Sequence, residues 1–412
     1  MATSAQPHRA WKAQLAVTLA ALASFAVLYC TQALLPALQQ RYGLSLAESG
    51  SLLMLTLLGL SLTAPFSCAL ASHWSPRPLL LLGLLGLAVS SVALGLCRTQ
   101  MELLTLRLLQ GLLLPLVLAA LLGSLPQLQQ GMGGRTLSAS YVCGTVLGGV
   151  LGRALPAALL PAWQWPGAFA GLALLQGLLA LLVWRLLPAD LVRQPAGDRD
   201  SAVTQEPLSW ALLWRAMRPL VAAGFCLLFA QASVFSFIVP RLSAAPWHWS
   251  ASQVGALYLL FLPSAALVHV APWLMRRCGV LRLLLAALGL SWVGLLLSLS
   301  AQTPWLLLGL GLFALAVFVA QAGLAELVGR RCPAAARRAA GIYLSAYYLG
   351  GACGAVLPAW VWDRGAWPGC LLTVAAVQLL LLLPLGWRAW RHGAAARQAS
   401  AALMFSCQKG SG

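Results

Sequence analysis

The fold class this sequence predicts is an all-α integral membrane protein, with twelve spans arranged as two parallel six-helix halves. Three observations predict it. Only 8% of the residues are charged and 61% are hydrophobic, against roughly 25% charged in a soluble domain, so a chain of 412 residues could not cover itself with polar surface in water. Apolar runs of about 20 residues, the length of a helical crossing, recur from end to end, and runs of that length favour helices over a barrel. Finally, the chain repeats itself. Tyr141–Pro156, YVCGTVLGGVLGRALP, returns 202 positions later as Tyr343–Pro358, YLSAYYLGGACGAVLP, and the same shift carries Trp165-Pro166-Gly167 onto Trp367-Pro368-Gly369. Two glycine-bearing apolar helices held in register over such a length indicate parallel structural repeats.

The spans follow in order. The first half (1–187) contains apolar runs at 13–37, 48–71, 78–97, 102–123, 136–159 and 167–187. The second half (219–387) contains them at 219–240, 251–274, 280–300, 304–328, 338–361 and 368–387. Residues 188–218 hold Asp190, Asp198, Asp200 and Glu206, half of the chain's acids, and read as a cytoplasmic linker, with 388–412 as a cytoplasmic tail. Orientation follows the distribution of Lys and Arg. With the N-terminus inside, twenty of the 26 basic residues fall on the cytoplasmic side and four, Arg41, Arg98, Arg241 and Arg364, on the outer side. Both termini are therefore expected in the cytoplasm, with the protein multi-pass in a bacterial inner membrane. The N-terminal run is long enough to span and lacks a small-residue cleavage site, so it reads as a first span and not a removed signal peptide.

The second and eighth spans open with matching signals. Ser45-Leu-Ala-Glu48 and Ser250-Ala-Ser-Gln253 are both capping boxes, and Gly50 and Gly255 follow at the same offset. This assigns Glu48 to a helix cap at the outer interface. The net charge of +18 comes from basic residues set singly or in short groups between apolar runs, which excludes a nucleic-acid face. The ten cysteines are scattered without a Cys-x-x-Cys pair and read as small packing residues, giving no metal site. His-Glu-x-x-His, Gly-x-Ser-x-Gly and the phosphate-loop motif are all absent, which argues against an intramembrane enzyme and a nucleotide-driven pump.

Several motifs resemble the major facilitator superfamily. Arg107-Leu-Leu-Gln110-Gly111 resembles its Arg-x-x-Gln-Gly motif in the fourth span. Gly144-x-x-x-Gly148-Gly149-x-x-Gly152-Arg153 resembles the fifth-helix glycine motif of its proton-driven antiporters, without the usual proline. Tyr29-Cys-Thr-Gln32, Tyr347-Tyr348-Leu-Gly350-Gly351 and Trp362-Asp363-Arg364 look most like the YnfM-type bacterial inner-membrane transporters. The resemblance implies export of a small molecule coupled to proton influx, no cofactor beyond the proton gradient, lipid and a small-molecule substrate as partners, and a monomer as the working unit. Uptake, and a transport-inactive sensor of the same fold, are the alternatives. The family loop between the second and third spans, Gly-x-Leu-Ala-Asp-Arg-x-Gly-Arg, is replaced here by Cys68-Ala-Leu-Ala-Ser-His73-Trp-Ser-Pro-Arg77, and Arg276 stands at the acid's place in the matching loop. The charge latch implied by the family is therefore weaker or built differently.

Ionisable groups inside a bilayer mark pathways or structural pairs. For Arg107 three readings stay open: organising a proton-linked switch, pairing with Glu102 or snorkelling outward, and binding an anionic substrate group. Arg153 reads as a snorkelling arginine or as part of the coupling site. Glu326, four residues before Arg330, is either an i,i+4 ion pair or the proton acceptor. Gly144, Gly148 and Gly152 share a helix face, as do Gly350 and Gly354 with Gly351 beside them. The resemblance implies that the fifth span packs on the eighth and the eleventh on the second, which makes these glycines expected sliding surfaces between the halves. Tyr29, Gln32, Gln231, Gln321 and Tyr347 are candidate cavity residues, and Pro36 and Pro240 candidate kinks or gates. A cavity poor in acids disfavours bulky organic cations and favours neutral, amphiphilic or anionic substrates.

Overall fold

A computed structural model describes residues 5–71, 74–129, 137–187, 210–331 and 336–380. The loop residues 72–73, most of the linker and the tail therefore lie outside the described residues.

The first crossing is broken. Helix α1 (Ala5–Tyr29) ends at a turn, a 3-10 segment follows over Gln32–Leu34, and α2 (Leu35–Tyr42) restarts with a proline in its first turn. Pro36 has no amide hydrogen and sits where an N-terminal turn leaves that donor unused, so it starts the second helix cleanly. Gly43 then ends α2 in the left-handed region, its amide donating to the Gln39 carbonyl. The next crossings are α3 (Leu46–Ala71), α4 (Pro76–Leu96) and α5 (Gln100–Gln129). The Ser45 amide donates to Glu48 at 2.8 Å and the Glu48 amide to Ser45 Oγ at 3.3 Å, the expected cap. Thr99 and Glu102 form another at the start of α5, which the sequence reading missed.

Helix α6 (Ser138–Leu186) holds the fifth and sixth crossings, because Gln164 leaves helical geometry with φ 54°. The second half runs α7 (Trp210–Ser243), α8 (Ala251–Leu257), a 3-10 turn, α9 (Leu262–Cys278), α10 (Val280–Leu297), α11 (Thr303–Arg331), α12 (Ala336–Val356) and α13 (Ala359–Leu380). Together α8 and α9 make the eighth crossing, and α8 carries the expected Ser250–Gln253 box. Helices α12 and α13 meet at 83°; at about 1.5 Å per residue each is long enough to cross on its own. Twelve crossings result among the described residues. Residues 210–218, expected in the linker, form the first turns of α7, where Leu213 and Met217 are buried.

The duplication reaches the backbone. Ala366, 202 positions after Gln164, is also a non-glycine residue at positive φ. The tryptophan after each strained residue points its indole N–H back to a carbonyl, Trp165 to Leu94 at 3.1 Å and Trp367 to Ser298 at 3.0 Å. Arg41 and Arg241, two of the outer basic residues, lie over these indoles at 5.8 and 5.4 Å. Each half thus closes its outer corner with the same arginine–tryptophan stack.

The glycines correct an expectation. A Cβ on Gly144, Gly148 or Gly152 would run into the carbonyl oxygens of Thr18, Leu22 and Ala26, and one on Gly350 or Gly354 into those of Phe225 and Phe229. These faces join α6 to α1 and α12 to α7, inside each half. Four-residue spacing gives a face on which backbones can touch, and the backbone it meets lies within the same six-helix unit. The halves do meet where the resemblance implies, α12 on α3 and α6 on α8 and α9, but other residues let them approach. A Cβ on Gly50 would strike the Ala355 carbonyl, and one on Gly255 would lie 2.8 Å from Ala157 Cβ. Ser61 and Ser345 exchange hydroxyl-to-carbonyl hydrogen bonds of 2.8 Å across the α3–α12 seam. Gly351 alone of the expected set touches this seam, with Leu57 on its far side.

Candidate functional site

A cavity of about 480 Å³ lies between the halves, within the size range of small-molecule sites. Tyr29, Tyr141, Gly149 and Arg153 from α1 and α6 face Gln231, Gln321, Tyr343, Tyr347 and Tyr348 from α7, α11 and α12. Its remaining wall is mostly aliphatic and aromatic. The lining reaches Pro65, Leu122, Ala325 and Gly341, all at the helix ends on the face where the described chain begins and ends, and Pro65 and Ala325 there are exposed. The cavity therefore opens toward the termini and closes toward the opposite face.

Arg153 forms the closed end. It is 1% exposed, so it does not snorkel. Its Nε donates to Gln32 Oε1 at 2.6 Å and its Nη1 to the Gly149 carbonyl at 2.6 Å. The guanidinium lies 3.8 Å from the Tyr29 ring centre, 4.6 Å from Tyr258 and 5.2 Å from Phe261. Tyr258 and Phe261 belong to the second half, and Tyr258 is itself fixed by its hydroxyl donating to the Phe235 carbonyl at 2.7 Å. Gln32 continues the link by donating to Ser236 Oγ at 2.8 Å. Gln32, expected on the cavity wall, thus lies in the seal beneath it. A planar cation suits this place because both of its faces can stack on rings while its edge donates hydrogen bonds.

Arg107 sits elsewhere, fully buried and off the cavity wall. Where α1 breaks, its last carbonyls lose the amides of a continuing helix, and Val27 O accepts instead from the Cys30 amide at 3.3 Å. Arg107 adds donors, Nη1 to Val27 O at 2.9 Å and Nη2 to Leu28 O at 2.7 Å. Its Nε donates to Leu52 O at 3.1 Å and Nη1 also to Gln110 Oε1 at 2.7 Å. Gln110 passes the link to Ser90 Oγ at 2.9 Å on α4. A cation at a helix C-terminus is stabilised by the negative end of the helix dipole, so the charge is held without a carboxylate. Pairing with Glu102 does not occur, because that carboxylate caps α5, accepting from the Arg98 amide at 2.8 Å. Gly111 completes the motif: a Cβ there would strike the Thr56 carbonyl, and Thr56 Oγ1 donates to the Arg107 carbonyl at 3.0 Å. Four crossings of the first half are tied together by these three residues.

Glu326 pairs with Arg330 at 2.6 Å, with the two side chains 42% and 68% exposed. It lies outside the cavity lining. The carboxylates of Glu48 and Glu102 are caps, and Asp363 is exposed, so among the described residues none lines the cavity. Two enclosed polar atoms of cavity-lining residues have no partner among the described residues, Gln231 Oε1 and the Tyr343 hydroxyl. Sequence reading missed Tyr258, Phe261 and Ser236. Their types and spacing match ordinary core residues, and only the approach of the two halves gives them a role.

Comparison with known proteins agrees with this architecture. The family model for the Major Facilitator Superfamily matches residues 17–242. The chain is 28% identical over 374 residues to the "Inner membrane transport protein YnfM" of Escherichia coli (strain K12), covering 90% of this chain and 88% of that one. It is 23% identical over 377 residues to the "Uncharacterized MFS-type transporter YybF" of Bacillus subtilis (strain 168), covering 91% of each. Among solved structures, the human organic anion transporter MFSD10 (TETRAN) superposes with a TM-score of 0.63 at 21% identity, covering 91% of this chain and 98% of that chain. A bacterial homologue of the human lysosomal transporter Spinster, described as inward-facing and unoccupied, gives 0.67 at 15% identity, covering 92% and 95%. At these identities the structural likenesses speak for the fold. With more than half of its length matched by the family model and its twelve crossings packed as two repeated halves, the chain belongs to the Major Facilitator Superfamily.

Proposed function

We propose that this protein is a secondary active transporter that exports a small molecule from the bacterial cytoplasm by alternating access, with proton influx as the driving force. The observation that carries the reading is the cavity: it lies between the repeats, opens at one face and is sealed at the other by side chains from both halves. Rocking the halves would break the seal and close the mouth, which is the movement alternating access requires. With both termini cytoplasmic, as the Lys and Arg distribution favours, this conformation faces inward. Proton coupling and export rest on the likeness of the fourth- and fifth-span motifs to those of proton-driven antiporters. Glu326, exposed and paired, is a poor proton carrier, and the coupling group is sought among the cavity residues instead. The working unit is proposed to be a monomer, since the cavity is complete within one chain.

The test is reconstitution of the full chain in liposomes with an imposed pH gradient, alongside accumulation assays in deletion and overexpression strains. Substrate accumulation driven by the gradient and abolished by a protonophore is the expected result. Transport insensitive to the protonophore removes the coupling. Binding of compounds without any flux favours the sensor alternative.

A further inference from the structure

Taking the cavity as a transport site, we infer that its substrate is an organic monoanion with an apolar, aromatic body, held with its anionic group against Arg153. Arg153 is the one charged residue among the described residues that line the cavity. Its acceptors, the Gly149 carbonyl and the Gln32 amide, are neutral, and Tyr29, Tyr258 and Phe261 around it supply ring faces and neutral hydroxyls but no anion. Arg107 offers the contrast, since the end of a broken helix balances its charge. A cation in a low-dielectric interior without a counter-ion is costly, and at the closed end of an open pocket it draws an anion.

The rest of the lining fixes the body of the ligand. Gln231 and Tyr343 line the cavity, and their Oε1 and hydroxyl are enclosed without a partner among the described residues, so a small turn of either side chain on binding would let a ligand satisfy it. The hydroxyl donates to the ligand and the amide oxygen accepts from it. The stacked pair Tyr343–Tyr347, 6.0 Å apart, and the edge-on pair Tyr347–Tyr348, 5.3 Å apart, form an aromatic wall. The opening toward the termini lets such a molecule enter charge first, its apolar end trailing toward the mouth.

Three probes of one shape and different charge test this: 4-hydroxy-1-naphthoate, its amide 4-hydroxy-1-naphthamide and the ammonium (4-hydroxy-1-naphthyl)methylammonium, whose ring hydroxyl accepts from Tyr343 and donates to Gln231, titrated onto the full-length protein in lipid nanodiscs. The naphthoate is expected to bind at least about tenfold more tightly than the amide, the advantage of a charge-assisted contact over a neutral one, and the ammonium not at all. Arg153→Gln should bring naphthoate down to the affinity of the amide. Tyr343→Phe should weaken naphthoate and amide alike while leaving the melting temperature of the unliganded protein unchanged, which keeps the test valid if Arg153→Gln does not fold. Equal binding of the three probes, no binding of naphthoate at millimolar concentration, or naphthoate affinity unaltered by Tyr343→Phe and by a folded Arg153→Gln overturns the inference. Counterflow of labelled naphthoate in liposomes separates this from the transport reading. Anion-selective binding without counterflow overturns transport and leaves the ligand class standing; flux of another solute without anion preference does the reverse.

Discussion

Gly148→Ala isolates the seam inside the first half. The added Cβ falls against the Leu22 carbonyl oxygen, with Leu22 Cα 2.9 Å and its carbonyl carbon 3.0 Å away. All three atoms are backbone, so no side chain can swing aside and α6 must move off α1. Overpacking of this kind costs about 1–3 kcal/mol. The upper part of that range is expected, because the same displacement loosens the contacts at Gly144 and Gly152 on the same face. Gly177→Ala is the control: nothing lies within 4 Å of its added methyl, and alanine favours a helix by up to about 1 kcal/mol. Thermal unfolding of the full chain in detergent should therefore separate the two variants by several degrees in opposite directions. Gly350→Ala, where the methyl meets Phe225 Cα at 2.7 Å, should behave like Gly148→Ala. The double change Gly144→Ala with Gly148→Ala should cost less than the sum, since one helix shift relieves both. If Gly148→Ala melts together with Gly177→Ala, the close approach of α6 to α1 is wrong.

Gly50→Ala meets the Ala355 carbonyl across the halves, so it should leave each half stable and open the sealed face, read as a longer distance between spin labels on outer loops of the two halves; unchanged distances would refute the seam. Arg153→Lys keeps the charge but loses the planar stack on Tyr29 and Tyr258, and the same labels should report partial opening. Arg107→Ala removes the side-chain donor of the Leu28 carbonyl, while those of Val27 and Leu52 keep the Cys30 amide and Thr56 Oγ1, the buried loss at Leu28 costing about 1–3 kcal/mol. It should abolish export in protein that still reaches the membrane, and export at the normal rate would contradict this. Glu326→Gln removes an exposed pair worth about 1 kcal/mol or less, so transport and its dependence on the pH gradient should persist; loss of that dependence would make Glu326 the proton carrier.

The repeat was legible in the residues because duplication preserves what helices cannot vary: glycines where backbones touch, capping serines, and the tryptophan after a strained corner. Its partner surfaces were not. The spacing of Gly144, Gly148 and Gly152 says that a helix comes close without saying which, and α1 supplies Thr18, Leu22 and Ala26 without any periodic mark of its own. Gly50 and Gly255, noticed only as followers of the capping boxes, are the glycines at which the halves meet. The break in α1 was marked by Pro36, but its consequence, helix-end carbonyls that explain an arginine without an acid, needed Arg107 and Leu28 placed side by side. Of the cavity candidates, Tyr29, Gln231, Gln321 and Tyr347 line the wall, while Gln32 is drawn into the seal by Arg153.

In the proposed alternating-access movement the two arginines would divide the work. The hydrogen bonds of Arg107 lie within the first half, so a rigid tilt of the halves would leave it in place, holding the broken first crossing together. Arg153 bridges the halves by stacking on Tyr258 and Phe261, a contact that the proposed opening of the far face would break. On the face toward the termini the degenerate loops offer no comparable bridge among the described residues: Arg77 donates to the Trp184 carbonyl at 3.0 Å in its own half, and Arg277 lies 5.1 Å over Trp273 in its own helix. In the proposed cycle, a cation–aromatic lock at one end with no comparable bridge among the described residues at the other would favour opening at the end toward the termini. An anion reaching Arg153 through that opening would compete with the rings for the guanidinium, which ties occupancy of the cavity to release of the opposite seal.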